Sequence, residues 1–291
     1  MEKKIEPSEL ILNPDGSIYH LNLLPHQIAH KLIFVGDQDR VPLVSKHFSQ
    51  IDFETQKREF RTCTGWFNRE RITVISTGIG PDNIDIVLNE LDALVNIDLK
   101  SRTIKKELTS LQIVRIGTSG SIQKEIPVDS FVMGTYGLGF DGLLHAYNSE
   151  HILEKDMADA FVEHTNYDLN KAKPYITSGS DQLIAKMASD QVFQGITATA
   201  NGFYGPQGRV LRMSVKDELL NDKLASFSYH GLKICNLEME TSAIYGLSKL
   251  MGHQALSLNA IIANRANKTF SEQPRKTIEK LIEYTIQKLT S

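Results

Sequence analysis

The sequence predicts a single α/β domain built on a covered central sheet. Three observations lead there. Short apolar or β-branched runs stop at Gly or polar clusters, as buried strands do. Helix-period stripes lie between some of these runs, and strands alternating with helices imply an α/β fold. No linker-like stretch, internal repeat or low-complexity tract divides the 291 residues, so one domain is the better reading.

The predicted strands are Leu32–Val35, Ile72–Ile75, Ile113–Ile116, Phe131–Met133, Lys233–Cys235 and Ala255–Ala263. After Pro81, Ile84, Val87, Leu88, Leu91, Leu94 and Val95 fall at helical spacing, with Asp82 or Asn83 as the expected N-cap. Thr241–Lys249 reads as a helix, and Ile278, Leu281, Ile282, Ile286 and Leu289 form one stripe after Pro274. Asp98–Ser110 is polar and charged and reads as a solvated surface insertion, the alternative being a basic arm reaching for an anion.

Composition excludes several classes. Lys plus Arg number 32 against 35 Asp plus Glu, a net charge of -3. That balance argues against a dedicated nucleic-acid binder while leaving room for one small anion pocket. The two cysteines, Cys63 and Cys235, form no CxxC or zinc spacing, so neither a disulfide scaffold nor a zinc site is expected. The opening MEKKIEPSEL has no apolar run behind it, and no stretch approaches a membrane span, so a cytoplasmic protein is expected.

Chemistry concentrates where predicted strands end, the usual ligand site of open α/β sheets. Leu32–Val35 runs into Gly36-Asp37-Gln38-Asp39-Arg40, and Ile72–Ile75 into Ser76-Thr77-Gly78-Ile79-Gly80. Ile113–Ile116 contains Arg115 and runs into Gly117-Thr118-Ser119-Gly120. Gly36, Arg40, Arg115 and Thr118 could together hold a phosphate-sized anion. An Arg inside an apolar strand needs a partner, either an anion or an internal carboxylate. No loop matches a Walker A or GxGxxG pattern, which disfavours a nucleoside triphosphate or dinucleotide.

Glu238 and Glu240 flank Met239 at a strand-to-helix turn. Carboxylates there accept paired hydrogen bonds from a vicinal diol, or simply sit at a solvated helix N-terminus. Phe203, Gln207 and Arg209 share one Gly-rich loop that suits a flat heterocycle, the alternative being a surface turn.

Taken in order, these segments resemble the nucleoside phosphorylase superfamily, and within it the uridine phosphorylases. GDPxR corresponds to Gly36–Arg40, STGIG to Ser76–Gly80, LRxGTTG to Val114–Gly120 and NYEME to Asn236–Glu240. FHLGL corresponds to Tyr19–Leu23 and HREF to Lys57–Phe60. The resemblance implies a three-layer α/β/α fold with a mixed central sheet, residues 1–17 as an N-terminal extension and 18–291 as the phosphorylase domain. It implies phosphate binding by Gly36, Arg40, Arg115 and Thr118, with Arg58 reaching in from a neighbouring subunit. His20, Glu238, Met239 and Glu240 would bind ribose, His20 across the same interface. Phe203, Gln207 and Arg209, supported by Arg265, would bind the base, and Arg115, Thr118, Arg209 and Glu240 would carry catalysis.

No cofactor is implied beyond phosphate as co-substrate, apart from a monovalent cation (K+) that Glu59, Ile79 and Asn83 would hold, Asn83 replacing the family's Ser. The implied partners are uridine, phosphate and further copies of the chain, a dimer at minimum or a hexamer, with no nucleic acid and no membrane. Purine members carry an Asp after the strand that follows the NYEME segment, and here that strand ends Ala263-Asn264-Arg265. Uridine phosphorolysis is therefore the expected activity. The alternatives are a purine nucleoside phosphorylase or nucleoside hydrolase of the superfamily, or a non-catalytic nucleoside-binding protein on the same fold.

Overall fold

A computed structural model describes residues 4–291, so residues 1–3 of the expected N-terminal extension lie outside the described residues. The apolar runs form the middle of a twelve-stranded mixed sheet. Its principal strands are β1 (Lys31–Val35), β2 (Gln50–Lys57), β3 (Phe60–Phe67), β4 (Glu70–Ser76), β5 (Gln112–Ser121), β6 (Phe131–Gly139), β7 (Val192–Thr199), β8 (Leu232–Glu238), β9 (Gln254–Asn264) and β10 (Thr269–Phe270). From the β8 side the order is β8, β7, β6, β9, β5, β1, β4, β3, β2, with Ser228–Tyr229 beside β8. β10 pairs with β9, and Tyr175–Ser178 with β6.

The pairings β1–β4, β1–β5, β5–β9, β6–β7 and β7–β8 are parallel, while β6–β9 is antiparallel. β8 also pairs antiparallel with the far end of β5, through Asn236↔Ser121 and Leu237↔Gly120. The strands β8, β7, β6, β9 and β5 thus close on themselves, and an extended apron of β1, β4, β3 and β2 continues from β5.

Helix α1 (Pro81–Asn96) packs on α2 (Thr241–Leu250), and both α2 and α3 (Pro274–Thr290) pack on β9. Ala255–Ile261 are buried without a break, so helices cover both faces of β9. The main core cluster draws on residues from Leu10 to Leu289, and a second gathers Leu138, Phe161, Ile196 and Leu237.

Most predicted elements are present, and the strands run longer than the apolar runs. β6 extends to Gly139 through Gly134 and Gly137, which hide it from hydrophobicity. A Cβ on Gly137 would lie 2.9 Å from the Ser242 Cα, so a bare backbone lets α2 approach. The hairpin β2–β3 and strand β7 were not predicted: β2 is largely solvent-facing, and Gly195 interrupts β7. The expected caps Asp82 and Asn83 are corrected. Gly80 is the N-cap (φ 100°, ψ 159°), with Pro81 in the first helical position, where its missing N–H costs nothing.

The polar 98–110 stretch carries a small antiparallel pair, Ile97–Asp98 with Thr103–Ile104. Lys105 Nζ donates to the Val95 carbonyl at 2.8 Å and Asn96 Nδ2 to the Thr109 carbonyl at 3.2 Å, closing the C-terminus of α1. Among the described residues no helix is long and apolar enough to cross a membrane. Cys63 and Cys235 are free and buried, and burial pushes the Cys235 thiol up to about 12.

Candidate active site

β1, β4, β5, β8 and β9 converge on one cleft of about 710 Å³. Past β1, the Asp37 carboxylate accepts from the Asp39 N–H at 2.9 Å, curling Gln38–Arg40 into a tight turn. That turn carries Arg40 back to the sheet, where Nη1 donates to the Ile116 carbonyl at 3.2 Å. Gly36, Arg40, Arg115 and Thr118 line this end of the cleft together, as the sequence predicts. Burial beside Arg115 lowers the Arg40 pKa, so both guanidiniums are held close in a poorly solvated spot. Such a spot favours a bound anion.

Arg115 is buried and ion-paired with both carboxylates of the second cluster, Glu238 at 3.2 Å and Glu240 more closely. Burial works against its charge, yet Glu238 and Glu240 outweigh it and raise its pKa. The internal-carboxylate reading of this arginine is the one observed, and its side chain also lines the cleft.

Glu238, Met239 and Glu240 line the middle of the cleft. The Glu238 carboxylate accepts from Thr199 Oγ1 at 2.7 Å and from the N–H groups of Glu240 and Thr241 at 3.1 and 3.0 Å. It closes the N-terminus of α2, and it does so buried, whereas the sequence alternative was a solvated terminus. Glu240 is differently placed: Oε1 accepts from the Gly80 N–H at 2.8 Å and Oε2 meets Arg115. Burial raises its pKa, Arg115 opposes that, and Glu238 adds to it.

At the far end Phe203, Gln207 and Arg209 line the cleft, with Leu237, Ile262, Ala263 and Phe270 supplying apolar wall. The Arg209 guanidinium lies 3.9 Å over the Phe203 ring and donates to the Phe203 carbonyl at 2.7 Å. It also donates to Gln207 Oε1 at 2.5 Å. Because Arg only donates, this bond fixes the Gln207 amide with its oxygen occupied and its NH2 as the remaining polar group. Arg265 does not line the cleft. It donates to the Gln207 carbonyl, and to the Gly208 carbonyl at 3.2 Å, holding the loop from behind. Asn264 also turns away, its amide donating to the Gln123 and Ile126 carbonyls at 2.8 and 2.7 Å.

The structure does not bring His20 or Arg58 into the cleft. Arg58 sits at the β2–β3 turn with φ 55°, and the adjacent Lys57 Nζ donates to the Tyr19 carbonyl at 2.5 Å. His20 and Arg58 therefore lie on neighbouring segments outside the cleft. Glu90 holds His20 through its backbone N–H at 2.9 Å and Nδ1 at 2.6 Å, which leaves Nε2 free of that contact. Glu59, Ile79 and Asn83 meet at the cleft rim, but Asn83 Nδ2 donates to the Ile79 carbonyl at 3.4 Å. A nitrogen thus faces the Ile79 oxygen within one chain, while the cation that the resemblance implies would sit between subunits.

The sequence profile described as the phosphorylase superfamily matches residues 31–289, the span that supplies every lining group of this cleft. The chain belongs to the phosphorylase superfamily. A uridine phosphorylase of Thermococcus kodakarensis is 25% identical over 285 residues, covering 95% of this chain and 88% of that one. A DeoD-type purine nucleoside phosphorylase of Geobacillus stearothermophilus is 24% identical, covering 92% and 97%. Among solved structures, a Trypanosoma brucei nucleoside phosphorylase described as showing uridine phosphorylase activity matches with TM-score 0.87 and 27% identity, covering 96% and 99%. This phosphorylase-superfamily cleft also uses residues the sequence reading passed over. Phe270 and Ile262 are apolar wall, and the buried Asn259 holds Arg115 from β9. Asn259 carries the signal that exposed Arg115, a polar side chain inside an apolar strand.

Proposed function

We propose that this phosphorylase catalyses the reversible phosphorolysis of uridine to uracil and ribose 1-phosphate. One observation carries the choice of base: the base end offers hydrogen-bond donors from Arg209 and Gln207 and no carboxylic acid. A departing uracil carries negative charge on N1, O2 and O4, which donors stabilise as it develops. A departing purine calls instead for a proton at N7, and where purine members carry an Asp this strand ends in Asn264 and Arg265, neither of them an acid: Asn264 is held by backbone carbonyls and Arg265 by the Gln207 and Gly208 carbonyls.

Phosphate is the co-substrate, taken between Arg40, Arg115, Thr118 and the Gly36 backbone. Its arrival competes with Glu240 for Arg115 Nη2 while Nη1 stays on Asn259, freeing that carboxylate to accept from the ribose hydroxyls. The glycosidic bond breaks towards uracil, and a phosphate oxygen attacks C1′ of the oxocarbenium-like sugar from the opposite face. No side chain acts as a covalent nucleophile. Positioning and electrostatics supply the catalysis, and the mechanism uses no cofactor or cation.

His20 and Arg58 complete a neighbouring copy's site in this reading, which makes a dimer the smallest active unit. Size-exclusion chromatography with light scattering tests it, and an active monomer would overturn it. The buried free thiols suit a reducing, cytoplasmic setting. The activity itself is tested by incubating the protein with uridine, thymidine or inosine, with and without phosphate. Phosphate-dependent uracil release is expected. Cleavage of inosine alone, or base release without phosphate, would sink the assignment.

A further inference from the structure

We propose that Asn259 is a positioning residue that holds Arg115 in its anion-binding orientation, and that its neutrality keeps that arginine's charge available to phosphate. The proposal rests on reading this cleft as phosphate-dependent. Asn259 is fully buried and outside the cleft lining, so it acts through Arg115.

The placement follows from register. On the parallel pair β5–β9, Ser257 lies opposite Arg115 and Asn259 opposite Gly117. Arg115 and Gly117 share one face of β5, being two residues apart. A Cβ on Gly117 would overlap Arg115 Nη1 and come within 2.5 Å of Asn259 Oδ1. The guanidinium therefore lies down over a bare backbone and ends against Asn259, where Nη1 donates to Oδ1 at 2.9 Å. The amide is held in turn, since Nδ2 donates to Ser257 Oγ at 3.3 Å and that oxygen accepts from Thr241 Oγ1 at 2.9 Å. One side of the guanidinium is thus fixed by a neutral oxygen, while Nη2 faces Glu238 and Glu240.

Neutrality matters because Arg115 already faces two carboxylates. Orientation by an amide leaves the positive charge free to meet an incoming phosphate. A third carboxylate at position 259 would keep the geometry and turn the surroundings against an anion.

The test uses the full chain with two substitutions, Asn259→Asp and Asn259→Ala, and two readouts. One is the pair of KM values for phosphate and uridine. The other is the rise in Tm that phosphate alone produces. N259D is expected to raise the phosphate KM by about tenfold or more, with uridine KM within about threefold. It should also lose most of the phosphate-dependent Tm rise and regain phosphate affinity as the pH is lowered. Unchanged phosphate KM and Tm response in N259D, or an equal loss for both substrates, overturns the proposal. Should N259D fail to fold, N259A is set against Asn259→Ser, which keeps a neutral oxygen. N259S must then retain phosphate binding better than N259A, and equal behaviour overturns the proposal. The Tm readout needs no nucleoside, so a protein that binds phosphate but spares uridine refutes the substrate reading alone. A wild-type protein whose Tm ignores phosphate refutes both.

Discussion

The Gly80 N–H donates to Glu240 Oε1 at 2.8 Å, joining the first residue before α1 to the last before α2. Gly80 can do this because it adopts φ 100°, ψ 159°, a region essentially closed to other residues. Gly80→Ala should cost about 1–3 kcal/mol of stability. Through Glu240 it should also raise the uridine KM more than the phosphate KM. Thermal denaturation and two-substrate kinetics check both parts.

Arg115→Met should be harsher. It removes the only cation within ion-pair distance of Glu238 and Glu240 among the described residues and leaves two buried carboxylates facing each other. Breaking a buried pair this way costs about 3–5 kcal/mol in stability. A loss on the order of several kcal/mol in kcat/KM is expected besides, because phosphate and transition state both lose a contact. A folded variant with near wild-type phosphorolysis would contradict the phosphate role.

The pH dependence follows from Glu240. Its pKa is raised by burial, so the proton is lost at a higher pH than from an ordinary Glu. In the proposed reaction ribose binding uses the carboxylate, which places the acid limb of kcat/KM for uridine above where an ordinary Glu would put it. The stability consequence has the opposite sense: a raised folded pKa favours the fold at low pH, and that contribution fades as pH rises through it. In that same proposal phosphate takes Arg115 from Glu240 and removes a lowering influence. The acid limb should therefore move upward between sub-saturating and saturating phosphate, after correction for phosphate's own ionisation. A limb that ignores phosphate would contradict the exchange.

Arg265→Ala should separate loop positioning from anion binding. The guanidinium holds the Gln207 and Gly208 carbonyls, and each such charge-assisted bond contributes about 1.5–3 kcal/mol. Loss of Arg265 should raise the uridine KM by roughly tenfold or more and leave the phosphate KM unchanged. A matching rise in both constants would show a general loss of fold instead.

What was legible in the sequence was whatever the backbone spells locally. Leu32–Val35 before Gly36 and Arg115 inside an apolar run each announce a strand with a charged task, and both stand where expected. What was not legible depends on packing between distant segments. Nothing local to Gly134 or Gly137 says strand, because their purpose is the approach of Thr197 and Ser242 from elsewhere. Glu238 and Glu240 look equivalent in sequence and diverge only once α2 starts and Gly80 arrives. Arg265, expected beside the base, turns out to hold the Gln207–Gly208 loop from behind.

The ladder between β9 and β5 slips by one residue, with Ile261 opposite Ser119 and Ala263 already opposite Gly120. Ile262 is thus a bulge, and the strand's in-and-out alternation changes phase there. Downstream of it Asn264 points to the Gln123 and Ile126 carbonyls while Arg265 points to Gln207. Deleting Ile262 would even out the ladder yet leave Ala263 and Asn264 opposite Gly120 and Ser121, so the downstream side chains would keep their directions. What the bulge adds is therefore the extra residue itself, an isoleucine that becomes apolar wall beside Ala263 and Phe270. A single-codon deletion there would strip one wall residue from the cleft without changing any of the side chains that line its anion end.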